Sequence, residues 1–401
     1  MYLSSKRMQT EPRLTAYAHA VHETGGMEKA QREVILGLLN RGWRVRVVAR
    51  DVDLPLHENL DIVRVRIPER PASLEQLSFA ARAPRARPGP GDVVTSLGAI
   101  VAWPVDVVIV QYVNRGARGA RAAVGPGAKR AARRVNGAIN HELAVAFERW
   151  CYRPTRVQRF LPVSTQLTDG LGAVAGWCRG ASVVVPNGVD LDHFAPDCRA
   201  RARAREAHGI APSTHLAVFV GGDWDRKGLR TAISALPLAP DWHLLVVGRG
   251  VPAEYREQAL TLGCADRLHF AGEAADPAPL LAAGDVFLLP TRYEGFPLSA
   301  IEAAATGLPL LLTRESNADG LLVHGESGFW IERDAMSVAK RLSELGDPML
   351  RARVGEAARL TAARFSWSAI VDRHAAVYSE ILAMRGGARR VKLGRSQDAA
   401  R

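Results

Sequence analysis

The stretch VFLLPTRYEGFPLSAIEAAATGLPLLLT, residues 286–313, reads as strand, helix and strand. Val286–Pro290 and Leu308–Leu312 are apolar runs of strand length, and the segment between them has helix-compatible composition. Pro297 suits the first helical turn, because it has no N–H to leave unpaired. Strands that are apolar throughout, separated by helices, imply a parallel sheet covered on both faces. Two charges break the pattern. Glu294 stands at the mouth of the helix and Glu302 on its second turn, and a carboxylate in such surroundings is costly to bury without a partner.

The same alternation extends in both directions. Toward the N-terminus of this series, strands are expected at LAVFVGG from Leu216, HLLVVG from His243 and LHFAG from Leu268. An earlier series has a first strand at Leu14–His19 and a helix in which Met27, Ala30, Val34 and Leu38 follow helical spacing. Further strands are expected at Trp43–Arg50, Leu60–Pro68, DVVTSL from Asp92, DVVIVQYV from Asp106 and FLPVS from Phe160. A helix over INHELAVAFERWCYRP is ended by Pro154. A chain of 401 residues is long for one hydrophobic core. The expected class is therefore α/β, with two doubly wound, Rossmann-like domains meeting near Pro186. Ligands of such sheets bind beyond the carboxyl ends of the strands, which for two facing domains means a cleft.

Composition narrows the classes. The apolar fraction of 47% is ordinary for a globular protein, and no apolar run approaches the length of a membrane span. The N-terminal MYLSSKRMQTEPRLT has no apolar core of a secretory signal. Cys151, Cys178, Cys198 and Cys264 have neither metal-ligand nor disulfide-framework spacing, so a reducing cytoplasm is the expected setting. The net charge of +12 favours anionic partners. Arg115, Arg118, Arg121, Lys129, Arg130, Arg133 and Arg134 form one basic stretch without an acidic residue among them. Arg389, Arg390, Lys392 and Arg395 form a second, in a terminal segment with little to bury that is expected to be disordered. The first stretch is either a solvated face or a contact for anionic lipid headgroups or a phosphorylated acceptor. No aromatic interleaving supports nucleic-acid binding, and none is expected.

Three motifs carry chemistry. In FVGGDWDRKGL, from Phe219, a strand ends in Gly221 and Gly222, and Arg226 and Lys227 follow. A forked donor beside a point charge suits a diphosphate, and cations near a helix start need an anion there. At Pro297, the Leu298 and Ser299 amides open the helix and form an anion site. Helical side chains lean toward the N-terminus, so Glu294 and Glu302 can address one ligand, as acceptors from its hydroxyls. The alternative is that Glu302 is a satisfied structural group and Glu294 a loop charge. In HETGGMEK, Gly25 and Gly26 permit close approach of backbone to a ligand. This is not the G-x-G-x-x-G dinucleotide fingerprint, which counts against a nicotinamide enzyme.

Together these residues resemble the retaining nucleotide-sugar glycosyltransferases of family 4, which have the GT-B fold. The likeness is carried by Glu294 and Glu302 with GFP and TGLP, by VVPNGVDLDHFAP, FSWSAIVDRHAAVY, GGMEKAQREVILGLLNRGWRVRVV and FVGGDWDRKGL, from about Leu14 to about Leu382. FERWCYRP with the RKG arrangement is similar to the lipopolysaccharide core glucosyltransferase branch. The resemblance implies an acceptor domain over residues 1–185 and a nucleotide-sugar domain over 186–364. A helix over 365–385 crosses back to the first domain, and a basic tail occupies 386–401. It implies that Arg226 and Lys227 hold the donor diphosphate, Glu294 meets the transferred sugar and Glu302 the ribose. The amides of Gly295, Phe296, Pro297 and Leu298 would line sugar and phosphate, with Gly25, Gly26 and Gly222 also donor-binding; proline offers only its backbone there. The donor is expected to be a UDP- or GDP-sugar and the acceptor a glycan, a lipid-linked or a small-molecule hydroxyl. No cofactor and no metal are expected, since the basic pair and the helix start do that charge work.

The chain departs from the family pattern twice. Gly222 stands where many relatives have an arginine, and Arg226 is the candidate replacement. Where relatives place a His or Asp after the strand matching DVVIVQYVN, this chain has Gln111, Tyr112 and Asn114. A front-face retaining mechanism, in which the leaving phosphate takes the acceptor proton, needs no strong base. Gln111 or Asn114 would then hydrogen-bond sugar or acceptor; His141 and His22 are the alternative bases. The expected reaction is sugar transfer in cell-envelope glycan or glycolipid synthesis, at the cytoplasmic face of the membrane. Two rivals remain: a sugar-nucleotide isomerase of the same fold, and a catalytically silent basic adaptor for membrane or nucleic acid.

Overall fold

The computed structural model describes residues 11–67, 78–83, 86–114 and 141–398, with side chains described through residue 385. The basic residues from Arg115 to Arg134, and the side chains of the terminal basic cluster, lie outside the described set.

The first sheet has strands β1 (Arg13–Tyr17), β2 (Arg44–Ala49), β3 (Leu60–Arg64), β4 (Val93–Leu97), β5 (Val105–Val110) and β6 (Val157–Pro162). They pair in the order β3-β2-β1-β4-β5-β6, all parallel. The second has β7 (His215–Val220), β8 (Trp242–Val247), β9 (Leu268–Gly272), β10 (Val286–Leu289), β11 (Leu310–Leu312) and β12 (Gly328–Trp330). It repeats the arrangement as β9-β8-β7-β10-β11-β12, again parallel. Each sheet reverses direction of growth beside its first strand, and the crevice at that switch point is where such sheets take ligands.

Buried positions explain the strands. All six residues of β5 and all four of β10 are buried, as expected for strands covered on both faces. Two of the strands differ notably from the sequence reading. β12 is only GFW, an edge strand too short to register as an apolar run, and it can pair because Gly328 lies against the Leu310 carbonyl oxygen. β6 begins at Val157, ahead of the apolar FLPVS, because Gln158 and Arg159 occupy the less buried start of an edge strand.

Helix α1 (Gly26–Leu39) buries Ala30, Val34, Ile35, Leu38 and Leu39 on one face against the first sheet. It starts after Gly25, whose φ of 86° is costly for a residue with a side chain. Helix α2 (Leu298–Ala305) is buried nearly all round, Ser299 being the least covered position. Helix α3 (Trp367–Asp398) runs through the stretch expected to be a disordered tail. Its first half joins the core of the first domain: Ile370, Val371, Tyr378 and Ile381 cluster with Leu14, Val34, Leu38, Val45 and Val47. The packing is close, with Val371 against Gly37 and Tyr378 edge-on to Trp43 at 5.9 Å between ring centroids. Arg41 pairs with Asp372 at 2.7 Å, and Arg385 reaches Asp106 at the far end.

The chain therefore passes between domains twice, side by side. Val189 N donates to Phe365 O at 2.8 Å and Trp367 N to Val189 O at 3.1 Å. Tyr378 is fully buried and takes part in a hydrogen bond with His374 Nδ1 at 3.0 Å, so its loss leaves a cavity where α3 docks. Tyr378→Ala is expected to cost about 3 kcal/mol, read from the urea midpoint of the intact chain.

Candidate active site

Between the two sheets lies a cleft of about 1010 Å³, lined from the first domain by the Glu23–Lys29 segment, Gln111 and Tyr112. The second domain contributes the loop after β7, the β8 and β9 ends and the mouth of α2. Gly25, Gly26, Gln111, Gly222, Arg226, Lys227, Glu294, Gly295, Phe296, Pro297, Leu298 and Glu302 all line it. Asn114 is not among the lining residues.

Arg226 and Lys227 sit on a single helical turn, Trp224–Lys227, that starts from Asp223 in a left-handed conformation with φ 50°. This turn brings both cations to Glu294. Arg226 Nη1 is 2.7 Å and Lys227 Nζ 3.2 Å from the same oxygen, Oε1. Arg226 also holds Asp223 at 2.8 Å through Nε and donates to the Tyr293 carbonyl oxygen. Burial by itself would push the Glu294 carboxyl up, but Lys227 and Arg226 outweigh it and hold it below its usual range. Glu294 is thus kept ionised and is unsuited to be a general acid near neutrality; it can accept hydrogen bonds. The basic pair and Glu294, separate roles in the sequence reading, form one ion-paired cluster here.

At the mouth of α2, Pro297 is the cap and offers no side-chain hydrogen bond. The first helical amide bonds run from Ala300 N and Ile301 N to Pro297 O, leaving the Leu298 and Ser299 amides ahead of them. Glu302, mostly buried, is met from the opposite domain: Lys29 Nζ lies 2.7 Å from Oε1.

Gln111 does reach the cleft, but its amide is already engaged. Its Nε2 donates to Asn187 Oδ1 at 2.7 Å, and Asn187 Nδ2 returns a hydrogen bond to Gln111 Oε1 at 3.1 Å. Asn187 Nδ2 also donates to Phe296 O at 2.9 Å, so one amide ties the domain junction to both walls. Gly295 makes the contact possible, since a Cβ there would lie 2.1 Å from the Gln111 carbonyl oxygen. Beside it, Tyr293 packs edge-on to Tyr112 at 5.2 Å between ring centroids.

The remaining base candidates lie elsewhere. The Asn114 side chain donates to Glu148 Oε1 at 2.7 Å, and its backbone N to the same atom at 3.0 Å. His141 is buried with neither ring nitrogen partnered among the described residues, and neither it nor His22 lines the cleft. His22 Nδ1 is instead 3.0 Å from Thr24 Oγ1. Sequence reasoning overlooked Lys29, Asn187 and Glu148. The first two stand in GGMEK and VVPNGVD, where the only available signal was adjacency to residues already singled out. Among the described residues no group of three or more His, Cys, Asp or Glu could hold a metal ion. No helix among them is long and apolar enough to cross a membrane.

Two family models match the chain: "Glycosyltransferase Family 4" over residues 24–193 and "Glycosyl transferases group 1" over 214–347. A GDP-mannose-dependent α-(1-6)-phosphatidylinositol monomannoside mannosyltransferase of Mycolicibacterium smegmatis is 30% identical, over 62% of this chain and 71% of its own. The chain belongs to glycosyltransferase family 4. A lipopolysaccharide core biosynthesis mannosyltransferase of Rhizobium meliloti is 31% identical over 41% of this chain and 50% of its own. The chain spans about half the length of this relative and of several D-inositol 3-phosphate glycosyltransferases that it also matches. Among solved structures, WaaG, a glycosyltransferase involved in lipopolysaccharide biosynthesis, superposes with a TM-score of 0.75 at 20% identity, covering 91% of this chain and 99% of its own. Anabaena HepE in complex with UDP-glucose gives 0.69 at 18% identity, covering 93% and 99%. The fold is GT-B.

The Glu148 carboxyl is buried, its Oε2 has no partner among the described residues, and burial pushes it up to about 7 despite the Asn114 hydrogen bonds. In the unfolded chain it ionises from its ordinary 4.5, so between pH 4.5 and about 7 the folded state holds a proton that the unfolded state has lost. This group's contribution to stability therefore falls as pH rises through that window, by about 1.4 kcal/mol per pH unit. Denaturation of Glu148→Gln at a series of pH values is expected to lack that decline relative to wild type.

Proposed function

We propose that the protein is a retaining glycosyltransferase that moves a hexose from a nucleotide diphosphate sugar to an acceptor hydroxyl in cell-envelope glycan or glycolipid synthesis. The observation that carries this reading is the Arg226–Lys227–Glu294 cluster at the mouth of α2, across the cleft from the Gly25–Gly26 loop. Arg226 and Lys227 take the diphosphate with donors not spent on Glu294, and the Leu298 and Ser299 amides add to that anion site. Glu294 accepts from the transferred sugar and Glu302 from the ribose. Gly25, Gly26, Gly222 and the Gly295–Leu298 backbone line the donor. The activities of two relatives support the donor class and the setting, one being GDP-mannose-dependent and another acting in lipopolysaccharide core biosynthesis.

The acceptor proton goes to the leaving phosphate on the face where the new bond forms. The amide of Gln111 has no basicity for that task, and its pairing with Asn187 suits it to a fixed wall of the sugar site. No observation favours the isomerase or the silent adaptor. The isomerase would convert donor without acceptor.

Thermal shift against UDP-, GDP- and ADP-sugars is the first test, because a ligand that binds only the folded state raises its apparent stability. Glu294→Ala is expected to lose at least about a hundredfold in transfer while remaining folded. Arg226→Ala should weaken nucleoside diphosphate binding by about tenfold or more. Wild-type transfer by folded Glu294→Ala would defeat the assignment. We also place the protein at the cytoplasmic membrane face, on the strength of its +12 charge. Flotation with anionic liposomes should then recover more protein than flotation with neutral ones, and equal recovery would count against it.

A further inference from the structure

Lys29 occupies an unfavourable place for a cation. It is the fourth residue of α1, in the first turn, where the helix dipole is positive. Its Nζ crosses the cleft to Glu302 Oε1 at 2.7 Å and lies 5.1 Å from the centre of the Phe194 ring, so both contacts belong to the second domain. The Glu302 side chain is 7% exposed and that of Lys29 is 27% exposed. The pair is therefore shielded on one side and open to the cleft on the other. Both residues line the cleft itself.

We propose that Lys29 is a positioning residue that couples domain closure to donor binding. With the domains together, its ammonium fixes one oxygen of Glu302 and so sets the direction in which the carboxylate presents itself to a donor hydroxyl. With the domains apart, Glu302 loses its partner and the carboxylate is free to rotate. The Gln111–Asn187–Phe296 amide relay and the Gly295 contact hold the same two walls together a short way along the cleft, so closure is specified at more than one point. The inference rests on the nucleotide-sugar reading for what Glu302 binds, but not for the closure itself.

The test uses the intact protein, with UDP and GDP as probes, in two measurements. Calorimetric affinities are taken for wild type, Lys29→Met, Lys29→Arg, Glu302→Gln and the Lys29→Met/Glu302→Gln double variant. Small-angle scattering is taken on the ligand-free wild type, Lys29→Met and Lys29→Arg. Lys29→Met should weaken nucleoside diphosphate binding by about tenfold, and the double variant should be no weaker than Glu302→Gln alone. Lys29→Arg, which keeps the charge and the reach, should restore most of the affinity. Ligand-free Lys29→Met should show a larger radius of gyration than wild type, and Lys29→Arg should not. Wild-type affinity in Lys29→Met, or losses that multiply in the double variant, would overturn the proposal. If neither UDP nor GDP binds wild type, the expectation of a UDP or GDP donor fails and scattering decides alone: an unchanged radius of gyration in Lys29→Met sinks the closure role.

Discussion

A carboxylate among apolar neighbours has to be paired, and the site is arranged around that requirement. Glu294 is held by Arg226 and Lys227 at 2.7 and 3.2 Å, all three on the second domain. The cluster puts two cations where the α2 amides already concentrate positive potential, an unfavourable arrangement that the carboxylate offsets. The same ion pairs that make Glu294 tolerable in the fold keep it charged and directional. Structural need and chemical use therefore coincide in one side chain.

The second carboxylate is handled differently. Glu302 finds its cation across the cleft, on a residue 273 positions away in sequence. Its environment depends on how the domains sit, while that of Glu294 is complete within one domain. The close approach of Gly295 to Gln111 and the Asn187 amide bridges fix the same arrangement from the backbone side. Helix α3 adds a further constraint, since it starts beside the Val189 crossing and packs its apolar face on α1, the helix that carries Lys29.

Most of the strands were legible because buried parallel strands are nearly continuous apolar runs, and β5, β7, β8 and β10 have little else in them. β12 was not, because three residues beginning with glycine carry no such signal and the pairing depends on contact with Leu310. The helical continuation of α3 to Asp398 was also missed, since the terminal segment was read from composition, which does not report whether a preceding helix simply propagates. Within the site, residue types and their place after a strand pointed to the Glu294 cluster and to the mouth of α2. They did not separate Gln111, which reaches the cleft, from Asn114, which turns to Glu148 three residues later.

The sequence by itself determined that the chain makes two doubly wound parallel sheets and that its polar residues collect at strand ends, because local periodicity and apolar runs encode both. Only the tertiary structure decided who pairs with whom. Lys29 with Glu302, Gln111 with Asn187 and Glu148 with Asn114 are contacts between distant segments, set by how helices and sheets pack, and no local pattern records them. Glu302 shows the reason most plainly: its position on an apolar helix was readable, but the cation that satisfies it sits on the other domain.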